Sequence, residues 1–561
     1  MRTPRQAAPT PIPPAGVGYG PLLRRRQACT NVGANIHLRS PAFHTPSVGL
    51  RPTPSPLRGE GARNRLLLRL AAGMREGRSG PKRVRAAAPA TVSARLRGHI
   101  RLEAQANGEI VACFNGYSVG LGTFSAGAAD RARELRTGLP LSSFASDSRK
   151  TGKEIGLLVR RLARRGLLEY RLGRSRDGED LVVIEPQVAD YWPQAPELRD
   201  ADALVLSRFA YLRRRGAEMV LESPRAGALF KICDPEIATA IAMLSTPRQI
   251  KELRRQQGFP GVKLLALLLD CQILFKAAAA GESGLRLAEG DHSLVVWDFH
   301  DLLFHARSTE GRHANPLGGT YPHVGVISPL PAVRPSWPGK TIDLSKISAA
   351  FPEAMSPVAK LLRERHSTRS FDDQRPITLA ELAQFLDGTA RVLPRSDTKP
   401  DLDDGGHAAR PYPSAGAAYG LELYLAVNHC EGLARGFYHY DAGAHALAPI
   451  GVPANELEAL LAGAVSAMGA PAAPQILITI AARFGRISWK YSSIAYALIL
   501  KDVGALTQTL YLMATDMGLG GCAIGIANID LFEKMTGVEF HVEGPVGQFA
   551  IGRGAKSEAS D

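Results

Sequence analysis

The sequence predicts an α+β protein in which two small helical modules precede a larger C-terminal domain. Three observations lead to this prediction. Residues 1–95 are rich in Pro and Arg with weak apolar periodicity, residues 96–290 twice show two helices followed by a hairpin pattern, and residues 355–561 combine long apolar helices with alternating strands. We place the segments at 1–95 (tail), 96–200 and 201–290 (modules), 291–354 (connector) and 355–561 (C-terminal domain).

The N-terminal tail carries the basic charge of the chain. Residues 1–100 contain 18 Lys and Arg and 2 Asp and Glu, a balance of +16, while the net charge of all 561 residues is +15. The other residues are therefore close to neutral, and we expect no nucleic-acid partner for the folded part. We expect the tail to be disordered or to reflect an over-extended translation start, with Met74 as one candidate start. A basic interaction arm is the alternative.

Cysteine usage and hydropathy indicate a cytoplasmic protein. The six cysteines are scattered, without a C-x-x-C pair or a His at metal spacing, which favours buried free thiols in a reducing compartment over disulfides or zinc. The sequence contains no run of about 18 apolar residues, so it predicts no membrane-spanning helix. The N-terminus also lacks the pattern of a secretory signal.

The two modules resemble winged helices. Leu157–Leu172 and Leu264–Ala278 each show a helical apolar pattern that runs into a short extended segment, and the turns that follow are marked by Asp177, Gly178, Gly281 and Gly284. A first helix is predicted upstream of each, at Ala128–Arg136 and Pro235–Leu244.

The second helices of the two modules differ in chemistry. The first carries arginines that suit phosphate contacts, whereas the second carries leucines at the corresponding places. The residues are Arg160, Arg161, Arg164 and Arg165 in the first, and Leu265, Leu267, Leu268 and Leu269 in the second. One apolar copy favours a peptide clamp or scaffold over DNA binding, and a purely structural role is the other alternative.

The connector predicts one short helix, Trp297–Ser308, before Gly318 and many prolines. Three histidines, His300, His305 and His313, do not predict a metal site, because no carboxylate or Cys stands at convincing ligand spacing.

The C-terminal domain opens with a candidate phosphate cradle. Pro357–Asp373 predicts a helix that runs into a turn carrying Arg365, Ser367, Thr368 and Arg369. Guanidiniums donate forked hydrogen bonds, and hydroxyls are compact donors, so together they suit a phosphate. An ordinary solvated helix end is the alternative.

A turn of small residues follows in Ala409–Val427. Pro411, Pro413 and Gly416 bracket Ser414 and Ala415 ahead of a strand, Leu421–Val427. Small side chains allow backbone groups to approach a flat ligand such as an isoalloxazine ring. An ordinary tight loop before a strand is the alternative.

The rest of the domain predicts a hairpin, two further strands and one long helix. These are Gly436–Ile450, Gln475–Ala482, Val546–Gly554 and the helix Ser492–Met517, with Lys490 and Tyr491 at its N-terminal end and Arg553 at the last strand's end. No G-x-G-x-x-G follows a strand and no P-loop occurs, so Rossmann NAD binding and P-loop hydrolysis lose their main support.

Six motifs in order resemble the SagB/ThcOx family of the nitroreductase superfamily. They are RHSTRSF (Arg365–Phe371), RPYPSAGAAYGLELY (Arg410–Tyr424), GFYHYDAGAHAL (Gly436–Leu447), WKYSSIAYALILKDVGALTQTL (Trp489–Leu510), GLGGCAIG (Gly518–Gly525) and IGRG (Ile551–Gly554). The resemblance implies a nitroreductase-like FMN domain with an antiparallel-rich sheet flanked by helices. It also implies a homodimer with FMN at its interface.

The resemblance assigns the cofactor contacts residue by residue. The phosphate and ribityl chain fall to Arg365, His366, Ser367 and Arg369, with Arg553 closing on the phosphate; the ring falls to Pro413, Ser414, Ala415 and Gly416 on one side and to Gly520 and Gly521 on the other. The acidic loop before the ring turn, with Asp397, Asp401, Asp403 and Asp404, departs from the family pattern and is a candidate substrate-entry loop or a neutral insertion.

The family activity is the oxidation of thiazoline and oxazoline rings in ribosomally made peptides, and the family's catalytic Lys-Tyr pair falls on Lys490 and Tyr491. One of the pair is the base if burial near the helix N-terminus favours its proton-accepting form; alternatively Lys490 only stabilises the reduced flavin. The implied partners are an azoline-containing peptide and a cyclodehydratase complex. An NAD(P)H-dependent nitro- or quinone reductase and a flavin-less peptide-binding scaffold are the competing hypotheses.

Overall fold

The computed structural model describes residues 90–114, 117–145, 150–173, 178–256, 258–277, 289, 292–315, 317–336, 338–348, 356–394 and 408–555. They belong to one compact unit, 84–561. Most of the predicted tail therefore lies outside the described residues. So do the acidic loop and three of the turn markers, namely Asp397, Asp401, Asp403, Asp404, Asp177, Gly281 and Gly284.

The described strands form four antiparallel sheets. In chain order the strands are β1 (Thr91–Leu96), β2 (Arg101–Ala104), β3 (Glu109–Phe114), β4 (Tyr117–Thr123), β5 (Leu139–Pro140), β6 (Leu168–Gly173), β7 (Asp180–Pro186), β8 (Ala203–Leu206), β9 (Tyr211–Arg215), β10 (Glu218–Glu222), β11 (Ala228–Ile232), β12 (Arg248–Gln249), β13 (Leu274–Lys276), β14 (Leu421–Val427), β15 (Gly436–Asp441), β16 (Ala446–Ile450), β17 (Ile476–Arg483), β18 (Gly520–Ile524) and β19 (Glu543–Gly552).

The described α-helices are α1 (Ala126–Ala132), α2 (Ser142–Ala145), α3 (Lys150–Arg164), α4 (Pro235–Ala242), α5 (Ile250–Leu253), α6 (Val262–Asp270), α7 (His292–Val295), α8 (Phe299–Ser308), α9 (Leu344–Ser348), α10 (Pro357–Glu364), α11 (Leu379–Ala390), α12 (Ala454–Met468), α13 (Phe484–Ser488), α14 (Ala495–Asp516) and α15 (Ile529–Thr536). Among them, no helix combines the length and the apolar character that a membrane span requires.

The N-terminal half is built on a seven-stranded sheet with the order β5-β1-β6-β7-β11-β10-β9. The hairpin β6–β7 follows α3, as the winged-helix pattern predicts. However, β7 continues into β11 of the second module, where Ile184 pairs with Phe230, and one core cluster contains buried residues of both modules. The two modules on either side of residue 200 therefore share one hydrophobic core.

The contacts of the second helices alter the interpretation of both modules. Arg160 lies 3.7 Å over the Trp192 ring, and Arg164 forms an ion pair with Asp190 at 3.3 Å. The leucines of α6 are core residues, because Leu265 and Leu268 are fully buried. These leucines therefore give no evidence for a peptide clamp, because apolar residues at helical spacing look the same when they belong to a core.

The first part of the predicted connector is an integral part of the C-terminal core. Trp297 is 1% exposed, and its indole Nε1 donates to the carbonyl oxygen of His541 at 2.8 Å. Leu302 of α8 lies in the same cluster as the C-terminal strands. By contrast, the described residues from 318 to 345 are exposed.

A buried histidine on α8 predicts a pH dependence of stability. Complete burial lowers the pKa of His305 to about 3, between the stacked rings of Trp297 and Phe540. The unfolded chain therefore takes up this proton first, and stability is lost as pH falls from 6.5 towards 3. We expect His305→Phe to remove about 1.4 kcal/mol of the loss in unfolding free energy between pH 7.5 and 5.5. Urea unfolding of both proteins at the two pH values measures it, and equal losses would contradict it.

The C-terminal domain has a six-stranded sheet with the order β16-β15-β14-β17-β19-β18. Alternate residues of β14 face opposite sides: Leu423 and Leu425 pack in the cluster that contains α14, whereas Tyr424 and Ala426 pack in the cluster with α12 and α15. This confirms the predicted antiparallel sheet flanked by helices.

The five described cysteines are free. Cys271 and Cys522 are buried as predicted, but Cys233 is exposed. The prediction of uniformly buried thiols was therefore too broad.

Candidate active site

The predicted phosphate segment, residues 365–369, follows α10 and runs along the edge of the six-stranded sheet. Ser356 caps the helix and Pro357 occupies its first turn; the helix ends at Arg365, whose backbone is extended. The segment then runs beside the edge strand β18, where Ser367 bridges Gly521 and Thr368 N donates to Gly521 O at 2.8 Å.

One guanidinium and one hydroxyl of this segment contact Tyr511 of α14. The Ser367 and Tyr511 hydroxyls are 2.8 Å apart, and the Arg365 guanidinium lies 4.9 Å from the Tyr511 ring centre. Arg369 and His366 are exposed. In the described part of the chain, neither Arg365 nor Arg369 forms an ion pair with a carboxylate, so both charges are available for an anion.

The two glycines of β18, Gly520 and Gly521, are required by close packing against neighbouring side chains. A Cβ on Gly520 would lie 2.6 Å from Thr368, and one on Gly521 would lie 2.4 Å from Phe549. Both glycines are buried. Close packing explains them without a ligand, and their contact with a cofactor ring stays a prediction.

Arg553 lies at the end of β19, but its guanidinium already has a partner. Its Nη2 nitrogen donates to both carboxylate oxygens of Glu381, at 2.7 and 2.9 Å. Its backbone N donates to Gln475 Oε1 at 3.0 Å, and the Gln475 amide donates to Asp372 O at 2.7 Å. Gln475 thus ties Arg553 to the loop after the phosphate segment, and a phosphate would have to share Arg553 with Glu381.

The predicted ring turn, residues 413–416, is held by a carboxylate that the sequence analysis missed. Asp502 of α14 accepts hydrogen bonds from Ser414 Oγ at 2.6 Å and from Ala415 N at 3.0 Å. Burial raises the pKa of Asp502, although both hydrogen bonds favour its charged form. Pro413 and Gly416 are exposed, so the outer side of this turn is open to a ligand.

We expect removal of this carboxylate to loosen the turn. In Asp502→Ala, Ser414 Oγ and Ala415 N lose their acceptor, at a cost of about 2 kcal/mol. The thermal midpoint should fall by about 5 °C. Asp516→Ala, at the exposed far end of α14, is the matched control and should leave the midpoint unchanged. Equal midpoints for the two variants would show that Asp502 does not hold the turn.

Lys490 and Tyr491 lie directly against the ring turn. Lys490 Nζ donates to Gly416 O at 3.3 Å. A Cβ on Gly416, whose φ is +56°, would lie 2.4 Å from the Tyr491 hydroxyl and 2.9 Å from Lys490 Nζ. Lys490 is exposed and Tyr491 is half-buried, so the burial invoked for a base is absent at Lys490.

The phosphate segment and the ring turn contact opposite faces of α14. Ser367 contacts Tyr511, whereas Ser414 contacts Asp502. These two positions are nine residues apart, which in a helix corresponds to about 13.5 Å along the axis and a rotation of about 180°. Within one chain, α14 therefore separates the two predicted halves of the cofactor site.

Asp298, His300 and Asp301 form the one cluster of possible metal ligands among the described residues. The sequence analysis expected no carboxylate at ligand spacing from the histidines, whereas Asp298 and Asp301 lie beside His300. Both carboxylates, however, already accept backbone N–H groups, from Ser493 at 2.5 Å and from Tyr496 at 3.2 Å. The cluster is therefore explained by hydrogen bonding.

Several residues that build the site were absent from the sequence analysis. The pair Thr378 and Glu381 forms a capping box at the start of α11, and this spacing could have predicted the helix. Asp502 could have been noticed as a carboxylate on an apolar helix face. Gln475 and Tyr511 gave no local signal, because their partners lie far away in the sequence.

Two family models match parts of this chain. The sequence model of the nitroreductase family matches residues 362–553, and that of the cyanobactin oxidase ThcOx matches residues 204–314. The ThcOx match thus covers the second module and the buried start of the connector. The resemblance to the SagB/ThcOx branch of the nitroreductase superfamily is confirmed.

Solved structures that resemble this chain do so only distantly. Among solved structures, a nitroreductase from Ralstonia eutropha has a TM-score of 0.27 at 22% identity and covers 37% of this chain and 87% of its own. The Escherichia coli microcin synthetase McbBCD complex with truncated pro-MccB17 bound has a TM-score of 0.34 at 20% identity, with 47% and 97% covered. Likeness at these scores is too distant to carry an argument.

A protein of Methanocaldococcus jannaschii that is named as a nitroreductase is 33% identical over 165 residues, which is 29% of this chain and 76% of that protein. Identity at this level over most of a relative's length indicates common descent. This chain therefore belongs to the nitroreductase family of oxidoreductases.

Proposed function

We propose that this chain is an FMN-dependent dehydrogenase that oxidises thiazoline and oxazoline rings in a ribosomally made peptide to thiazoles and oxazoles. The observation that carries the proposal is the meeting of Lys490 and Tyr491 with the Gly416 turn. The match of residues 204–314 to the ThcOx model supports a peptide substrate over a small nitro compound.

The described residues fit an FMN cofactor. Its phosphate needs cationic and hydroxyl donors, and Arg365, Ser367 and Arg369 provide them within five residues of the chain. Its flat ring needs a turn without bulky side chains, and Gly416 in its left-handed conformation provides one. When bound, FMN accepts a hydride from the substrate.

The protein must orient the azoline and remove a proton. Oxidation to the aromatic ring takes a proton from Cα and a hydride from Cβ, and oxygen finally accepts the electrons. The pair Lys490 and Tyr491 lies where it can take the Cα proton, since both side-chain tips face the ring turn. The tether from Lys490 Nζ to Gly416 O fixes the pair relative to that turn.

Two observations support a homodimer in which each FMN contacts both chains. First, α14 separates the phosphate segment from the ring turn within one chain, so a second copy is needed to bring the two together. Second, the connector exposes apolar side chains to an unusual extent, with Val326 at 81% and Leu330 at 93%. Such surfaces are normally covered by another chain.

The proposed activity places the enzyme after a cyclodehydratase. The azoline ring must be made before it can be oxidised, so we propose that the chain acts in a complex with the enzyme that cyclises the peptide. The free thiols of the described cysteines fit a reducing cytoplasm.

The test is to purify the protein, record its flavin absorbance and incubate it with a thiazoline-bearing peptide in air. We expect the loss of two hydrogens per ring by mass spectrometry. Lys490→Ala and Tyr491→Phe should retain flavin and lose this mass change; loss of flavin in them would make the pair structural.

Two outcomes would contradict the proposal. Rapid bleaching of the flavin by NADPH without a mass change would favour a nitro- or quinone reductase. A colourless protein that binds peptide would favour a scaffold.

A further inference from the structure

A left-handed residue stands between the Lys490–Tyr491 pair and α14. Ser493 has φ +62°, a conformation that costs a residue with a side chain about 1–2 kcal/mol relative to its usual states. The helix α14 begins two residues later, at Ala495. The path of the chain through Ser493 therefore sets where the pair lies relative to the helix and to Gly416.

Residues that precede the C-terminal domain in the sequence form hydrogen bonds to this turn. Asp298 accepts the Ser493 N–H at 2.5 Å, and Asp301 accepts the Tyr496 N–H at 3.2 Å. His300 Nε2 lies 3.1 Å from Ser493 O. Three residues at the start of α8 thus bond to a four-residue turn almost two hundred positions later in the chain.

The side chain of Asp298 does not cap its own helix, α8. Asp298 is the N-cap residue of α8, where an aspartate normally accepts a hydrogen bond from its own helix, yet it makes no side-chain cap bond. Its carboxylate is turned to the Ser493 amide instead. The unused capping bond indicates that the distant contact is what fixes this side chain.

The helix α8 is itself anchored at its other end. Arg307 donates to Glu222 of β10 at 3.1 Å, and Glu222 is 3% exposed. Between the two helices, His305 Nδ1 of α8 is 3.2 Å from the Tyr496 hydroxyl of α14. Asp298 is therefore presented by a fixed element rather than by a free loop.

We propose that Asp298 is a positioning residue that holds the Ser493 turn in its left-handed state and thereby places Lys490 and Tyr491 against Gly416. The inference rests on the proposed function for its catalytic consequence. Asp301 and His300 support the same turn. The ThcOx-matched segment of the chain would then complete the active site of the nitroreductase domain.

The test compares Asp298→Ala, Asp298→Asn and the double variant Asp298→Ala/Ser493→Gly in the full-length holoenzyme. Asp298→Ala should lower kcat for azoline oxidation by about 10- to 100-fold with little change in KM, because misplacement of a reacting group by about 1 Å has this effect. Asp298→Asn keeps an acceptor oxygen and should stay near the wild-type rate.

The double variant separates positioning from other roles. Glycine adopts a left-handed conformation freely. The kcat of the double variant should therefore be at least about five-fold higher than that of Asp298→Ala. Asp387→Ala, an exposed surface aspartate, is the control and should not change kcat. No recovery in the double variant would overturn the proposal.

A second measurement does not depend on the reaction. Hydrogen exchange of the Ser493 amide should be slow in the wild type and fast in Asp298→Ala. Unchanged exchange would refute the proposal, and so would inactivation of the wild type by EDTA with recovery on adding a metal. If the wild type fails to oxidise azolines but the exchange changes as expected, the proposed function fails and the role of Asp298 in the turn stands.

Discussion

Arg365→Ala/Arg369→Ala should purify as a folded but colourless protein. Each guanidinium can donate charge-assisted hydrogen bonds to a phosphate, worth about 1.5–3 kcal/mol each, so the double variant should bind FMN about 100- to 10,000-fold more weakly. The loss should be large because both guanidiniums lack carboxylate partners in the described part of the chain. Titration of the apoprotein with FMN, followed by flavin fluorescence, measures the affinity.

Arg363→Ala is the matched control for this variant. Arg363 lies in α10, two residues before Arg365, and is exposed, so it has the charge of the pair and lies beside it in the chain. We expect its affinity for FMN to stay within about two-fold of the wild type, as is usual for surface substitutions. An FMN affinity of the double variant equal to that of the control would exclude the pair from the phosphate site.

Gly416→Val should abolish azoline oxidation while the protein stays folded. The new side chain would start 2.4 Å from the Tyr491 hydroxyl and 2.9 Å from Lys490 Nζ, at a residue with φ +56°. The pair would have to move by an ångström or more, which lowers kcat by about 100-fold or more. Because Gly416 is exposed, the core should tolerate the change.

Gly485→Ala is the control for Gly416. Gly485 lies in α13, five residues before Lys490, and a Cβ added there meets no atom within 4 Å. Its kcat for the thiazoline peptide should match the wild type, and circular dichroism should show that both variants are folded. Gly416→Val with wild-type kcat would mean that the contact with the pair has no part in catalysis.

The regular elements of the C-terminal domain were predictable because their local patterns are strong. Leu421–Val427 alternates and forms β14 with the predicted bounds, and Pro357 with Ser356 begins α10 as capping rules require. The long helix starts at Ala495 and not at Ser492, because Ser493 is held in a left-handed state by Asp298. A partner so distant in the sequence leaves no local signal.

The contacts that complete the site depend on residues far apart in the chain. The lone cation Arg553 was noticed from the sequence, but its ion pair with Glu381 depends on the position of α11. In the same way, the leucines of α6 form part of the core because the seven-stranded sheet extends across both modules. Periodicity shows which face of a helix is apolar but not which partner covers it.

The proposed homodimer holds each FMN between the phosphate segment of one chain and the ring turn of a second copy. The activity of mixed dimers distinguishes this arrangement from a site within a single chain. The mixed dimers are made by co-expressing differently tagged Arg365→Ala/Arg369→Ala and Gly416→Val chains. A mixed dimer would hold one site with both defects and one intact site. We predict about half of wild-type azoline oxidation from the purified mixed dimer, although each parent variant is inactive. An inactive mixed dimer would show instead that each site is built from a single chain.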